Sequence, residues 1–264
     1  MAQLDPLLGD GDPPPVRVLR PDGAADFLLT ADHAGRAIPR RLGDLGLPES
    51  ERARHIAWDI GIAGVTERLA AALDATAVLQ AYSRLVIDCN RRPEWASAIP
   101  LVSETTAIPG NAGLTAAERE ARRGAIFQPY HDRITALLDR RRADGRRAVL
   151  VAMHSFTPVF NGVARRVEVG ILYNAGGRDL RLPHILLDLL RTDRDLAVGD
   201  NEPYAITGNS DYTVPVHGEE RGLPHVEIEI RQDLIADAAG RERWADRLAR
   251  LLPLADSRLR DMPL

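Results

Sequence analysis

Two apolar runs, both too short for buried helices, lead into histidines. Phe27-Leu28-Leu29-Thr30-Ala31 runs into Asp32-His33 and breaks at Gly35, and Ala148-Val149-Leu150-Val151-Ala152 runs through Met153 into His154-Ser155. Runs of this length between turn signals read as buried strands. Each histidine is thereby delivered to the C-terminal edge of a strand, where open α/β sheets bind their ligands. The chain is limited to folds that bring those two strand ends to one sheet edge.

The remaining pattern supplies the layers. Ile62, Val65, Leu69 and Leu73 recur at helical spacing and predict an amphipathic helix over Ile60–Leu73, with Asp59 at its entrance. Thr76–Ala81 and Leu85–Ile87 predict a strand pair, followed by a long proline-interrupted loop from Cys89 to about Leu114, of a length more often functional than idle. Thr115-Ala-Ala-Glu118 has the spacing of a capping box and opens a helical stretch that Pro129 kinks and that ends near Gly145. Further strands are expected at Val167–Tyr173, Leu196–Val198 and Val226–Ile230, and further helices at Arg181–Leu190 and Arg241–Leu252. Strands alternating with helices predict a three-layer α/β/α sandwich around a central mixed, mostly parallel sheet. With 264 residues, 45% of them hydrophobic, the chain can bury one large core. One domain over 17–264 is expected, after a flexible, extended N-terminal tail over 1–16, which Gly11, Asp12 and Pro13 to Pro15 keep from regular structure.

Composition closes several classes of chemistry. Cys89 is the only cysteine, so an internal disulfide and a cysteine-based zinc cluster are both excluded, and a metal would rest on His, Asp and Glu. Every basic side chain other than histidine is arginine, which removes a lysine nucleophile or Schiff base. The net charge of -4 arises from intermixed acids and arginines, so no nucleic-acid partner is expected. No apolar run reaches the roughly 18 residues of a membrane span, and the start, MAQLDPLLGD, has no basic n-region, so the expected location is the cytoplasm. Nothing in the sequence sets the oligomeric state.

A pair of histidines at one sheet edge suits a metal, and a catalytic zinc takes three protein ligands and leaves a position for water. Asp32, Asp59 and Asp88 are candidates for the acidic ligand. Asp59 is preferred, because Asp32 should point to the opposite side of the strand from His33; a helix N-cap explains Asp59 equally well. Asp88 would instead brace a ligand histidine or Arg91. Val226-Glu227-Ile228-Glu229-Ile230 alternates, placing both glutamates on one face. A glutamate there can take a proton from metal-activated water and pass it to a departing amine; a half-exposed edge strand with solvated acids gives the same pattern. Arg84, Asn90 and Arg91 sit beside a strand end and suit a carboxylate-bearing substrate, whereas Arg92 reads as a surface residue. His217, in the glycine-bounded loop His217–Gly222, could cover the site, supply an electrophilic group or simply turn the chain. Ser155 lacks the glycine-flanked elbow of a serine nucleophile, and Gly176-Gly177 lacks a phosphate loop's context.

Taken in order, Ala31-Asp-His-Ala-Gly35 with Pro39, Trp58-Asp-Ile-Gly61, Ser83-Arg-Leu-Val-Ile-Asp-Cys-Asn-Arg91, Met153-His-Ser155 and Glu229-Ile-Arg-Gln-Asp233 resemble the N-formylglutamate amidohydrolase family over roughly Phe27 to Ile235. The resemblance implies a phosphorylase/hydrolase-like fold, similar to zinc carboxypeptidases and the succinylglutamate desuccinylases. It implies hydrolysis of N-formyl-L-glutamate to formate and L-glutamate, with Zn2+ or another divalent metal as cofactor and a small acidic N-acyl amino acid as partner. It further implies His33, His154 and Asp59 as ligands, Glu229 as general base with Glu227 beside it, and Arg84, Asn90 and Arg91 on the substrate carboxylate. Two departures stand out: carboxypeptidases carry an acidic ligand three residues after the first histidine, where this chain has Arg36, and the segment after Glu229 differs from well-studied relatives. The competing expectations are a zinc deacylase or carboxypeptidase-like hydrolase with another substrate, and a metal-free carboxylate-binding protein.

Overall fold

A computed structural model describes residues 5–177, 179–207 and 210–262. Its strands are β1 (Val16–Leu19), β2 (Phe27–Ala31), β3 (Thr76–Gln80), β4 (Val149–Phe156), β5 (Val169–Leu172), β6 (Val198–Asp200) and β7 (His225–Arg231). They form one sheet in the order β1-β3-β2-β4-β7-β5-β6. The central four, β3, β2, β4 and β7, are parallel. β1 at one edge runs antiparallel to β3, β5 runs antiparallel to β7, and β6 at the other edge is parallel to β5. The sheet is therefore mixed and mostly parallel at its centre, as expected.

Strand alternation decides what each face meets. Leu29, Val151, Met153, Ile228 and Ile230 pack against α1 (Ile62–Leu73), α4 (Arg181–Leu190) and α5 (Ala238–Asp261). Leu28, Val78 and Leu150 face the other way, against the region formed by α2 (Ala116–Arg122) and α3 (Gln128–Ala143). Helix α1 has no side-chain cap. Burial of Ile62, Val65 and Leu69, roughly 1.5–3 kcal/mol each, outweighs the ~1 kcal/mol a cap contributes.

Several expectations change. β4 continues to Phe156, so His154 lies within the strand rather than past its end. Leu85–Ile87 is a turn, not a strand: the amides of Leu85 and Val86 bond to Ser83 Oγ and O, and the apolar side chains fill the second core from a loop. Residues 116–143 are helical throughout, with a π-helical turn over Arg123–Phe127 joining α2 to α3 just ahead of Pro129, whose missing N–H it accommodates. β6 starts two residues later than predicted, and α5 runs on to Asp261 with Pro253 inside it. The long loop holds a small hairpin, Val102–Ser103 with Thr106–Ala107. A second hairpin, Val159–Phe160 with Val163–Ala164, turns at Asn161-Gly162, whose φ values of 49° and 78° suit a two-residue turn.

The opening segment has no regular structure before β1, yet its described part lies on the domain instead of standing off it. Leu7 is buried in the second core, Tyr82 Oη donates to Pro13 O at 2.7 Å, and Ala81 N donates to Pro15 O at 3.1 Å.

Candidate active site

β2, β4 and β7 bring their C-terminal ends together, and the loop before α1 closes over them. Gly61 makes that loop possible: its φ is +85°, and a Cβ there would come within 2.3 Å of Ile235 O. Gly61, not Asp59, stands at the start of α1. Asp59 is no helix cap. Its Oδ2 accepts from Ser155 N at 3.0 Å and lies 3.1 Å from His154 Nδ1 and 3.7 Å from His33 Nδ1, while Arg84 Nη2 pairs with Oδ1. One ligand atom from each of His33, Asp59 and His154 falls within 4.8 Å of the others, and all three residues are buried.

The other acidic candidates brace the histidines from outside. Asp88 Oδ1 lies 2.6 Å from His33 Nε2 and also accepts from Asn90 N. Asp32, one residue past the end of β2, faces Tyr130 of α3 on the side of the second core, as alternation from Leu28 predicts. Its Oδ1 accepts from Tyr130 Oη at 2.6 Å and Thr213 Oγ1 at 3.0 Å, and its Oδ2 lies 3.3 Å from His154 Nε2. Carboxylates behind each histidine fix ring orientation and raise basicity at the other nitrogen, as metal-ligating histidines require.

On β7, Glu227 and Glu229 share one face while Ile228 and Ile230 enter the opposite core, and Glu229 pairs in register with His154. They are not solvated acids on an edge strand: β7 is interior and both side chains are buried. Burial pushes Glu229 up to about 7 despite the opposing pull of His154, and pushes Glu227 well above the usual carboxylate range. Burial acts the same way on Asp59, but the Arg84 guanidinium and both histidines outweigh it and hold that carboxyl well below the usual range. For His154, burial disfavours the charge, yet Glu227, Asp32 and Asp59 raise its proton affinity well above normal. The site thus attracts positive charge. Among the described residues, His33 Nδ1, Glu227 Oε2 and Glu229 Oε2 are buried with no hydrogen-bond partner. Two imidazoles, one ionised carboxylate and carboxylates behind the rings fit a divalent cation of the zinc type.

The cavity above this floor has a volume of about 310 Å3. Arg84, Asn90 and Arg91 line it with the candidate ligands and both glutamates, so most residues singled out in the sequence meet in one place. Arg91 is already paired with Asp211 at 3.1 Å, and Asn90 Oδ1 accepts from the amides of Tyr212 and Thr213. His217 is not among the lining residues. Its ring stacks on His131 at an interplanar angle of 15°, with Nε2 3.0 Å from His131 Nδ1, and His131 Nε2 donates to Cys89 O. Ser155 Oγ donates to Ile60 O at 2.9 Å, an arrangement that supplies no base to activate it. Sequence reasoning passed over His55, Tyr204 and Asp211, which also line the cavity. Only the Asn161-Gly162 turn signalled that a hairpin near this wall would shape it.

The family profile described as N-formylglutamate amidohydrolase matches residues 25–236. Among solved structures, a gene product of Agrobacterium tumefaciens is 39% identical with a TM-score of 0.92, over 96% of this chain and 99% of that one. N-formylglutamate amidohydrolase from Ralstonia eutropha JMP134 shares the fold with a TM-score of 0.70 at 20% identity, over 94% of this chain and 100% of that one. No curated protein sequence matches this chain significantly. No helix among the described residues is long and apolar enough to cross a membrane.

Proposed function

The chain belongs to the N-formylglutamate amidohydrolase family, and from that premise we propose that it is a cytoplasmic, zinc-dependent hydrolase of N-formyl-L-glutamate, releasing formate and L-glutamate. The observation that carries the metal dependence is the buried convergence of His33, Asp59 and His154, with Asp88 and Asp32 behind the rings. A zinc ion held by those three residues would polarise the amide carbonyl and bring the pKa of water towards about 7.

The chain's own groups do the rest. Glu229 Oε2 faces the cavity without a partner among the described residues, accepts a proton from the attacking water and returns it to the departing amine nitrogen. A carboxyl whose proton affinity sits near neutrality suits both halves of that transfer. Burial raises the proton affinity of Glu227 well above the usual carboxylate range, which suits it to a donor's part at the floor rather than that of a second base. Arg84 orients Asp59 through Nη2 while its Nε, buried and unpartnered among the described residues, is available to the substrate's α-carboxylate. Asn90 and Arg91 hold the wall formed by Asp211 to Thr213 and add positive charge beside it.

The test is metal content by mass spectrometry on wild type, His33→Ala and His154→Ala, with formate release from N-formyl-L-glutamate measured on the same samples. The expected result is about one metal per chain in wild type, as a single set of three protein ligands implies, lost together with formate release in both variants. Wild type with metal but no formate release removes the formyl substrate and keeps the hydrolase. Wild type with neither metal nor rescue by added zinc overturns the mechanism.

A further inference from the structure

Two guanidinium groups line the cavity, and both are already engaged by carboxylates, Arg84 by Asp59 and Arg91 by Asp211; a third stands against its aromatic walls. Arg165 is the third. Among the described residues it forms no ion pair, and its one side-chain hydrogen bond runs from Nη1 to Tyr204 Oη at 2.7 Å. Its planar group lies 4.6 Å from the Phe160 and Tyr204 rings and 5.6 Å from the Phe156 ring. Phe156 and Tyr204 are themselves cavity walls, so the charge lies beside the cavity, against two of its walls.

The mounting is stiff. Arg165 N donates to Pro158 O at 2.8 Å, and Arg231 Nη1 reaches the carbonyls of Arg165, Arg166 and Val167 at 3.3–3.4 Å. Arg231 is two residues beyond Glu229 on β7 and is itself paired with Asp233 and Glu168. The strand that carries the proposed base therefore also sets the position of this arginine. A guanidinium clamped between aromatic faces keeps N–H groups free and loses little further side-chain freedom when a carboxylate binds.

We propose that Arg165 is a specificity-determining residue that receives the side-chain carboxylate of an N-acyl glutamate, beside the Phe156 and Tyr204 walls, while the α-carboxylate lies at Arg84. This rests on the reading that places the scissile amide at the His33–Asp59–His154 floor. It makes the enzyme selective for a dicarboxylic acyl amino acid over its neutral isostere.

The experiment compares N-formyl-L-glutamate with N-formyl-L-glutamine on wild type, Arg165→Gln and Arg165→Lys, with melting temperatures recorded for each. Loss of one charge-assisted contact should raise KM for the glutamate substrate in Arg165→Gln by roughly ten- to hundredfold. The value of kcat should stay within about twofold, as befits lost uniform binding. The glutamine substrate should be unaffected, and Arg165→Lys should recover part of the loss. Equal losses on both substrates, or none on either, overturn the proposal. A wild type that cleaves neither substrate defeats the assigned reaction instead, and Arg165 is then judged by calorimetric titration of glutarate and of its monoamide. Selective loss of glutarate affinity in Arg165→Gln upholds the proposal; glutarate that fails to bind wild type, or binds both proteins equally, overturns it.

Discussion

His33, Asp59, His154 and Glu229 on the cavity floor are buried and carried on or next to interior strands, and the three candidate ligands are each held by a further group. The rim is built differently. Tyr204 is 40% exposed, and Val159 and Val163 of the nearby hairpin are 49% and 68% exposed. Across a second cleft that shares His55 and Thr157 with the main cavity, the tips of the two hairpins face each other, and Glu104 in one of them adopts φ +51° while pairing with Arg54. A floor fixed by sheet register suits chemistry that needs sub-ångström placement. A rim of turns can change its residues without disturbing that register, so selectivity belongs there.

The sharpest way to break this division is Glu229→Gln. It should lower kcat by about 10²–10⁴ while metal content and melting temperature hold, and a change confined to KM would put Glu229 on the recognition side. Next come the braces. Asp88→Asn and Asp32→Asn should weaken metal affinity by roughly 10–100-fold, read by equilibrium dialysis; unchanged affinity would mean that the histidines hold their orientation without them.

A third test addresses support beneath the floor. Burial lowers His131 to about 4 and His217 to about 3, so both are neutral in the folded protein. A depressed histidine contributes stability that is complete above its unfolded value of about 6.5 and is lost as pH falls towards the folded value. The denaturant midpoint should therefore fall between pH 6.5 and about 4, by an amount on the order of a few kcal/mol, and the slope should shrink in His131→Gln. A flat profile in wild type would show that the pair is not held neutral. At the rim the effects are smaller. Gly162→Ala, with φ +78° and open space around it, should cost about 1 kcal/mol of stability through backbone strain alone. Val163→Ser should stay within ~0.5 kcal/mol with kinetics unchanged, and a measurable loss of activity there would extend the functional surface outward.

What the sequence made legible follows the same division. Phe27–Ala31 and the strand through His154 are continuous apolar runs, and α1 has an unbroken apolar stripe, so local pattern and tertiary role agree. The alternation of Glu227 and Glu229 was readable, although whether they faced solvent depended on β5 and β4 flanking their strand. β1 was missed because Val16–Leu19 is a short, half-buried edge whose partner, β3, lies some sixty residues on. Leu85–Ile87 misled because an apolar turn under a core has the composition of a strand. The role of Asp59 rests on Ser155 N, His154 and Arg84, all distant in sequence, and a capping aspartate would look identical. Arg165 was one arginine among many until three aromatic rings from separate segments surrounded it.

The pairing of β2 with β4, and of β4 with β7, has a consequence for how the chain acquires its site. Phe27 meets Val149, and His154 meets Glu229, across parallel contacts that only long loop closures can make. Such high-contact-order pairings form late and cooperatively. Half a domain holding His33 and Asp59 has no site for a cation to organise, so a metal bound there could not template a partial fold and would stabilise only the finished one. Catalytic competence and completion of folding are in that sense a single event, and removal of such an ion should lower the melting temperature of the whole domain rather than loosen one end of it.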